Sequence, residues 1–194
     1  RATTSITVSG TPDVLATATA TFTVAVAPVL AGTELEIGGV VLTAVSGVPS
    51  SSDEFDGDTA DASVIAVNLA SAINSGSVGS WGIVSATSAS EVVSLTAVTA
   101  GSTGNSVTLS SDSPRVVASG SVLSGGSDPD TVTIGGQTLV AVAPPRIAGG
   151  MNFGVGPTNF DTAQSITDAI NDSTNTLGFV TAANSGDQVV IAAF

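Results

Sequence analysis

Apolar and polar residues alternate along residues 16–27 of the chain. One face of this stretch carries the apolar residues Ala16, Ala18, Ala20, Phe22, Val24 and Val26, and the other carries Thr17, Thr19, Thr21 and Thr23. A period of two is typical of a half-buried β-strand, and Pro28 ends the run. The pattern therefore predicts a strand, which either joins this subunit to another or is an ordinary edge strand of its own domain.

A second pattern occurs twice, at a separation of 97 positions. Residues 36–45 correspond to residues 133–142, and in both an Ile-Gly-Gly sequence separates two short apolar runs, which is typical of a tight β-hairpin. The same separation relates residues 72–74 to residues 169–171, both Ala-Ile-Asn. We interpret the shared separation as an internal duplication.

Between its strands each copy changes to helical spacing. Ile65, Leu69 and Ile73 lie four positions apart, as do Ile166 and Ile170. The residues suited to cap the two helix starts are Asp58, Thr59 and Asp61, and Thr158, Asn159 and Asp161. We expect the helices to end near Asn74 and Asn171 and two further strands to follow, so that each copy is a β-β-α-β-β unit.

These patterns predict an α+β fold that is mainly β, with two tandem copies of a β-rich, sandwich-like repeat that each contain one short helix. We assign residues 1–32 to an N-terminal strand segment, 33–130 to copy one and 131–194 to copy two. Copy one continues with two strand-like stretches, residues 106–110 and 116–123, for which copy two has no counterpart.

The N-terminal segment resembles those missing strands. Residues 5–9 are similar to residues 106–110, and residues 12–17 to residues 114–119. We expect the segment to complete copy two, either in the same molecule or in a neighbouring subunit, where strand addition would build a ring or a filament. A third interpretation is that these residues belong to a longer array of repeats. The candidate assembly residues are Ile6, Val8, Val14, Ala18, Ala20, Phe22, Val24, Val26 and Phe194.

Composition and charge narrow the class of function. Of 194 residues, 42% are hydrophobic and 10% charged, with three arginines, no lysine, no histidine, no cysteine and a net charge of −13. So few cations disfavour nucleic acid and anionic membranes as partners. The absence of histidine and cysteine removes the commonest general base and the thiol nucleophile. The mean hydropathy is +0.49, but the alternating threonines argue against a spanning helix, so we expect no membrane insertion.

The densest cluster of candidate functional residues is acidic. The loop before the first predicted helix carries Asp53, Glu54, Asp56, Asp58 and Asp61. Oxygen ligands at this density are candidates for a weak Ca²⁺ site, although helix caps in a solvated loop are the simpler interpretation. We expect no other cofactor. Trp81 is the single tryptophan available to stack on a sugar, and we expect it to be a core or interface anchor.

Three segments carry a family resemblance: the Ile-Gly-Gly-x-x-Leu-x-Ala-Val hairpin, the helix end Ala-Ile-Asn, and residues 93–107, with the sequence Val-Ser-Leu-Thr-Ala-Val-Thr-Ala-Gly-Ser-Thr-Gly-Asn-Ser-Val. They resemble a repeat of tailed-phage structural proteins, in tail sheath, tail fibre and other virion components, and of some bacterial surface proteins. The resemblance covers most of residues 33–194. It implies a structural module used in assembly or display, with no catalytic residues to carry over.

We therefore expect a non-enzymatic structural subunit of an extracellular filament or phage-type virion assembly that polymerises with itself, head to tail, by β-strand complementation. The alternative is a receptor- or glycan-binding domain of a phage fibre or bacterial surface adhesin. Either function implies an extracellular, cell-surface or virion location.

Overall fold

The structure, a computed structural model, describes residues 2–172, Thr174 and residues 177–194. It divides into two compact units. The split unit joins the N-terminal stretch up to Leu15 to Asp128–Phe194, and the central unit is Ala16–Ser127. This division differs from the predicted boundaries, because the predicted N-terminal segment, residues 1–32, is shared between the two units.

The strands and helices follow one order in both units. The split unit begins with β1 (Thr3–Thr7). The central unit contains β2 (Thr19–Val24), β3 (Glu34–Ile37), β4 (Val40–Val45), β5 (Glu54–Asp56), α1 (Ala62–Ser75), α2 (Ser77–Ser80), β6 (Val84–Ala89), β7 (Val92–Ala97), a 3-10 turn (Ser102–Ser106), β8 (Leu109–Ser111) and β9 (Val116–Ala118). The split unit then continues with β10 (Thr131–Ile134), β11 (Gln137–Val142), β12 (Asn152–Gly154), α3 (Asn159–Asn171), β13 (Val180–Ser185) and β14 (Gln188–Ala193).

The central unit contains two four-stranded sheets and one long helix. The strand orders are β5-β4-β3-β8 and β6-β7-β2-β9. Helix α1 lies against β5, β6 and β7 and buries Ile65, Leu69 and Ile73, which are the residues that the helical spacing selected. Among the described residues, Ala62–Ser80 is the one helical stretch long and apolar enough to cross a membrane by length and composition, but these buried side chains belong to the core of the unit.

The split unit repeats this plan with fewer strands. Its sheets have the orders β1-β14-β13 and β10-β11-β12, and α3 lies against β12, β13 and β14. The two first hairpins also share their register: residues 34–37 lie opposite 40–43, and residues 131–134 lie opposite 137–140. In each unit a third strand runs parallel to the second strand of the hairpin: β5 pairs with β4, and β12 pairs with β11.

Glycine pairs form the turns of both first hairpins. Gly38 and Gly39 have φ of +57° and +85°, and Gly135 and Gly136 have +56° and +83°. Two successive positive φ angles define the two-residue turn whose twist matches that of paired strands, and glycine adopts them without steric cost. The Ile-Gly-Gly sequences therefore determine where both hairpins turn.

The predicted helix ends are confirmed. Asp61 accepts a hydrogen bond from the Ser63 amide at the start of α1, and Thr158 accepts one from the Asp161 amide at the start of α3. Helix α1 ends at Ser75, one residue past the predicted Asn74, and α3 ends at Asn171.

Each of these asparagines fixes its helix to the following strand. The amide side chain of Asn74 donates to the Ala86 carbonyl and accepts from the Ala86 amide, both at 2.8 Å. Asn171 makes the same pair of bonds to Ala182, at 2.8 and 2.9 Å. The repeated Ala-Ile-Asn sequence thus has a structural explanation: it ends a helix and joins it to a sheet.

The α+β, mainly β fold class is confirmed. The prediction omitted the parallel strands β5 and β12, which are three residues long and too short to show a periodic pattern. It also made the strand at residues 116–123 too long, since β9 ends at Ala118. The one short helix of copy one is a 14-residue helix followed by the four-residue α2.

We predict that Asn74→Ala lowers the free energy of unfolding of the central unit by about 1–3 kcal/mol, because it removes both partners of the partly buried Ala86 backbone. Asn171→Ala is the matched variant in the split unit, where the same bonds are exposed, and its effect should be smaller. Hydrogen exchange of each unit, monitored at increasing denaturant concentration, measures the change in the free energy of unfolding for both variants. Equal effects would show that burial of the amide pair does not determine its contribution.

Candidate strand-pairing interface

The two ends of the sequence meet in one sheet of the split unit. Residues 3–7 lie antiparallel to residues 188–192 along β14. The pairing continues beyond β1, where the Val8 amide donates to the Asp187 carbonyl at 2.9 Å, and the Ala193 amide donates to the Ala2 carbonyl at 3.2 Å. Val8 and Ile191 are buried in the core of the unit. The N-terminal strand is therefore both hydrogen-bonded and packed against the C-terminal part of the described chain.

Strand β1 occupies the position in the split unit that β2 occupies in the central unit. Residues 19–23 of β2 lie antiparallel to residues 92–96 of β7, as β1 does to β14. The predicted alignment of residues 5–9 with residues 106–110 is therefore wrong. A sequence signal existed: Thr-Thr-Ser-Ile-Thr-Val at residues 3–8 matches Thr-Ala-Thr-Phe-Thr-Val at residues 19–24.

Strand β2 is an interior strand, which corrects both interpretations offered for it. It pairs with β7 on one side and with β9 on the other, so it is neither an edge strand nor available to a neighbour. Ala18, Phe22 and Val24 are core residues of the central unit. Ala20 packs against that core, and Val26 lies beyond the strand and is exposed.

The other candidate assembly residues lie in the split unit. Ile6 and Val14 pack against its core, and Val8 is part of that core. Phe194 lies beyond the end of β14, its amide donates to the Phe179 carbonyl, and its side chain is 77% exposed. The structure thus brings Ile6, Val8 and Val14 into one unit and leaves Phe194 at its surface.

Four strands are sheet edges of the split unit in the described part of the chain, β1 and β13 in one sheet and β10 and β12 in the other. Strand β1 pairs with β14 on one side only, and β10 pairs with β11 on one side only. A groove of about 180 Å³ lies beside these two edges, and its lining includes Ile6, Val132, Phe153 and Ile166. Unpaired edges with apolar side chains are the sheet feature that most readily recruits another strand.

The acidic residues of the candidate Ca²⁺ loop are not gathered into a site. Among the described residues no group of three or more acidic side chains lies close enough to hold a metal ion. Asp53 accepts from the Ser77 amide and hydroxyl at 2.6 and 2.7 Å, which joins the loop to the start of α2. Asp56 accepts from the Gly47 and Asp58 amides, at 3.2 and 2.9 Å.

The remaining acids of this loop also accept hydrogen bonds from neighbouring residues. Bonds from the amide and hydroxyl of Ser50 hold the pKa of Glu54 below its ordinary value. Bonds from the hydroxyl and amide of Ser63 lower the pKa of Asp61, and Asp58 accepts from the Ser46 hydroxyl. The cluster therefore organises the loop and caps α1, as the simpler interpretation expected.

Trp81 is not a core residue. It follows the short helix α2 and is 71% exposed. The prediction of a core role is therefore wrong, and the interface role stays a prediction.

The one salt bridge among the described residues ties a loop of the split unit to the end of α3. The Arg146 guanidinium contacts the Asp172 carboxylate at 2.8 Å. Asp172 also accepts from the Thr174 hydroxyl at 2.6 Å and from the Gly149 amide at 2.9 Å. Hydrogen bonds from Thr174 and Gly149, with the charge of Arg146, lower the pKa of Asp172 to about 2.

Comparison with models of known protein families finds no match to the chain, and comparison with curated protein sequences finds no significant match.

We predict that Asp172→Asn lowers the melting temperature at neutral pH. The pKa of Asp172 falls from an ordinary 3.8 to about 2 on folding, so its stabilisation is present above the ordinary value and is lost as the pH falls toward 2. The difference in melting temperature from the wild type should therefore shrink across that interval.

Asp168→Asn is the control for this titration, since Asp168 lies on the exposed face of α3 and accepts from Gln164 of the same helix. An unchanged melting temperature for Asp172→Asn at neutral pH, or a difference that does not vary with pH, would contradict the prediction.

Proposed function

We propose that the protein is a non-enzymatic structural subunit of an extracellular filament or phage-type virion assembly. In this proposal the subunits join head to tail when β1 of one chain pairs with β14 of the next. The partner is a second copy of the same chain, and no nucleic acid, membrane insertion or cofactor is involved.

The observation that carries the proposal is the pairing of β1 with β14. Strands β1 and β14 lie at residues 3–7 and 188–193, so their contact is a non-covalent joint that closes a loop of the residues between them. A second copy offers the same register and the same buried side chains, so exchange of β1 replaces contacts one for one. Such exchange is a low-cost route to oligomers, and a contact between two different surfaces propagates unless a rotation closes it.

The subunit concentration determines whether β1 pairs with β14 of its own chain, the closed form, or of another chain, the exchanged form. Pairing within one chain is favoured in dilute solution, because the strand is tethered close to its partner, whereas pairing between chains increases as subunits are concentrated. The net charge of −13 would keep such an assembly soluble.

The strand exchange predicts filaments that depend on residues 2–8. Deletion has to stop before β2, because Phe22 and Val24 belong to the core of the central unit. We expect the concentrated full chain to form filaments or stacked oligomers in negative-stain electron microscopy, and the chain without residues 1–8 to form none.

A peptide of residues 2–9 is the control for misfolding of the truncated chain. Added in excess, it should restore the β1–β14 pairing, measured by hydrogen exchange along β14, without restoring filaments, because it carries no second subunit. Filaments that persist after the deletion, or a full chain that is monomeric at every concentration, would contradict the proposed assembly.

Glycan or receptor binding is a second candidate function, favoured by the exposure of Trp81. An exposed indole offers a flat apolar face to a sugar ring. Trp81 is the single tryptophan, so intrinsic fluorescence reports on this side chain alone. If this function is correct, a panel of surface glycans should contain one that shifts the emission of the wild type at micromolar concentration and that Trp81→Ala no longer binds. If no glycan shifts the emission, glycan binding is rejected and the structural function remains the proposal.

A further inference from the structure

The chain that follows β1 is fixed to the rest of the split unit at two points. The first is Val8, whose amide donates to the Asp187 carbonyl at 2.9 Å and whose side chain is 6% exposed within the core of the unit. Val8 is therefore the last residue that depends on the pairing of β1 with β14.

The second fixed point is Asp13. Its amide donates to the Asp130 carboxylate at 3.1 Å, and its carbonyl accepts from the Asp130 amide at 2.8 Å. The next residue, Val14, packs against the core. Asp130 is not part of β14, so these bonds do not require β1 to lie on its own β14.

Residues 9–12, here the connector, lie between the two fixed points. They make no hydrogen bond to any residue that the structure describes. Ser9, Gly10 and Thr11 are exposed, and Pro12 is partly buried. The connector can therefore change its conformation without breaking a hydrogen bond, as expected of a segment at the low end of local stability.

The bend of the connector depends on one residue. Gly10 has a φ of +73° and is the one connector residue with a positive φ. Glycine adopts this conformation without steric cost, whereas a β-branched residue does not. A Cβ added at Gly10 would meet no atom within 4 Å, so the space around Gly10 admits a side chain and only its backbone conformation favours glycine. Pro12 restricts the preceding Thr11 to extended conformations.

We propose that the connector is the hinge of strand exchange and that the positive φ of Gly10 holds β1 in the closed form. This inference rests on the proposed function, because it concerns the same β1–β14 joint. In the closed form the connector bends at Gly10 and returns β1 to its own β14, and in the exchanged form it extends and carries β1 to the next copy. The conformational preference of residue 10 thus determines the ratio of the two forms.

The test changes that preference alone. Valine disfavours the positive φ of the closed form and favours an extended connector. We expect Gly10→Val to raise the ratio of exchanged to closed chains about tenfold at a given concentration. Asparagine tolerates the left-handed region better than valine does, so Gly10→Asn should stay near the wild-type ratio. Size-exclusion chromatography with light scattering, on full chains equilibrated over one concentration series, measures the ratio.

Gly186→Val is the matched control for general destabilisation. Gly186 lies in the turn between β13 and β14, has a φ of +69°, and likewise has no atom within 4 Å of an added Cβ. This turn is the same in the closed and exchanged forms, so valine costs both forms equally. Gly186→Val should lower the melting temperature and leave the ratio unchanged.

Three results would overturn the inference: an equal rise in the ratio with Gly186→Val, a rise with Gly10→Asn as large as with Gly10→Val, or no response to Gly10→Val in a chain that assembles. The last result would retain the proposed function and reject the hinge. A wild type that is monomeric at every concentration, beside a Gly10→Val chain that assembles, would support the hinge and reject the proposed function. Monomers in every sample would reject both.

Discussion

The hydrogen-bonding requirement of sheet edges is the constraint on which this structure depends. A strand with an unpaired edge leaves a row of backbone donors and acceptors without partners. In the central unit β2 lies between β7 and β9 and β3 is covered by β8, so the edges of its two sheets are the strands β5, β8, β6 and β9. In the split unit β1 pairs with β14, and the edges in the described residues are β1, β13, β10 and β12. Strands β1 and β10 are thus edges, whereas their counterparts β2 and β3 lie in the sheet interior.

Both units contain the same local sequence features. Paired glycines turn the first hairpin, an Asx or Thr residue caps the helix, and an asparagine fixes the helix end to the next strand. These features depend on residues that lie close together in the sequence. The units differ in the number of strands that the described residues form, and the apolar residues differ in burial accordingly: Leu35 is fully buried, whereas its counterpart Val132 is partly exposed.

The local elements could be predicted from sequence, and the partners of the strands could not. The Ile-Gly-Gly turns, the caps at Asp61 and Thr158, and the helix end at Asn171 follow from conformational preference and side-chain hydrogen bonding. Alternation along residues 16–27 indicates half-burial, but it carries no information about which strand lies beside it. It therefore does not distinguish an edge strand or a joint from the interior strand that β2 is. The acidic loop was ambiguous for a similar reason, since sequence density does not reveal that Asp53 bonds to Ser77 across 24 positions.

The most direct test of the proposed assembly uses the absence of cysteine from the chain. Ser5 and Val190 lie opposite each other in the β1–β14 pair and are both exposed, so Ser5→Cys with Val190→Cys places two thiols at the joint without disturbing the core. The doubly substituted chain is oxidised once in dilute solution and once after concentration, and both samples are separated under denaturing, non-reducing conditions. Assembly through β1 predicts linked single chains from the dilute sample and a ladder of covalent multimers from the concentrated one. Linked single chains alone at every concentration would contradict it, because β1 would then remain within its own molecule.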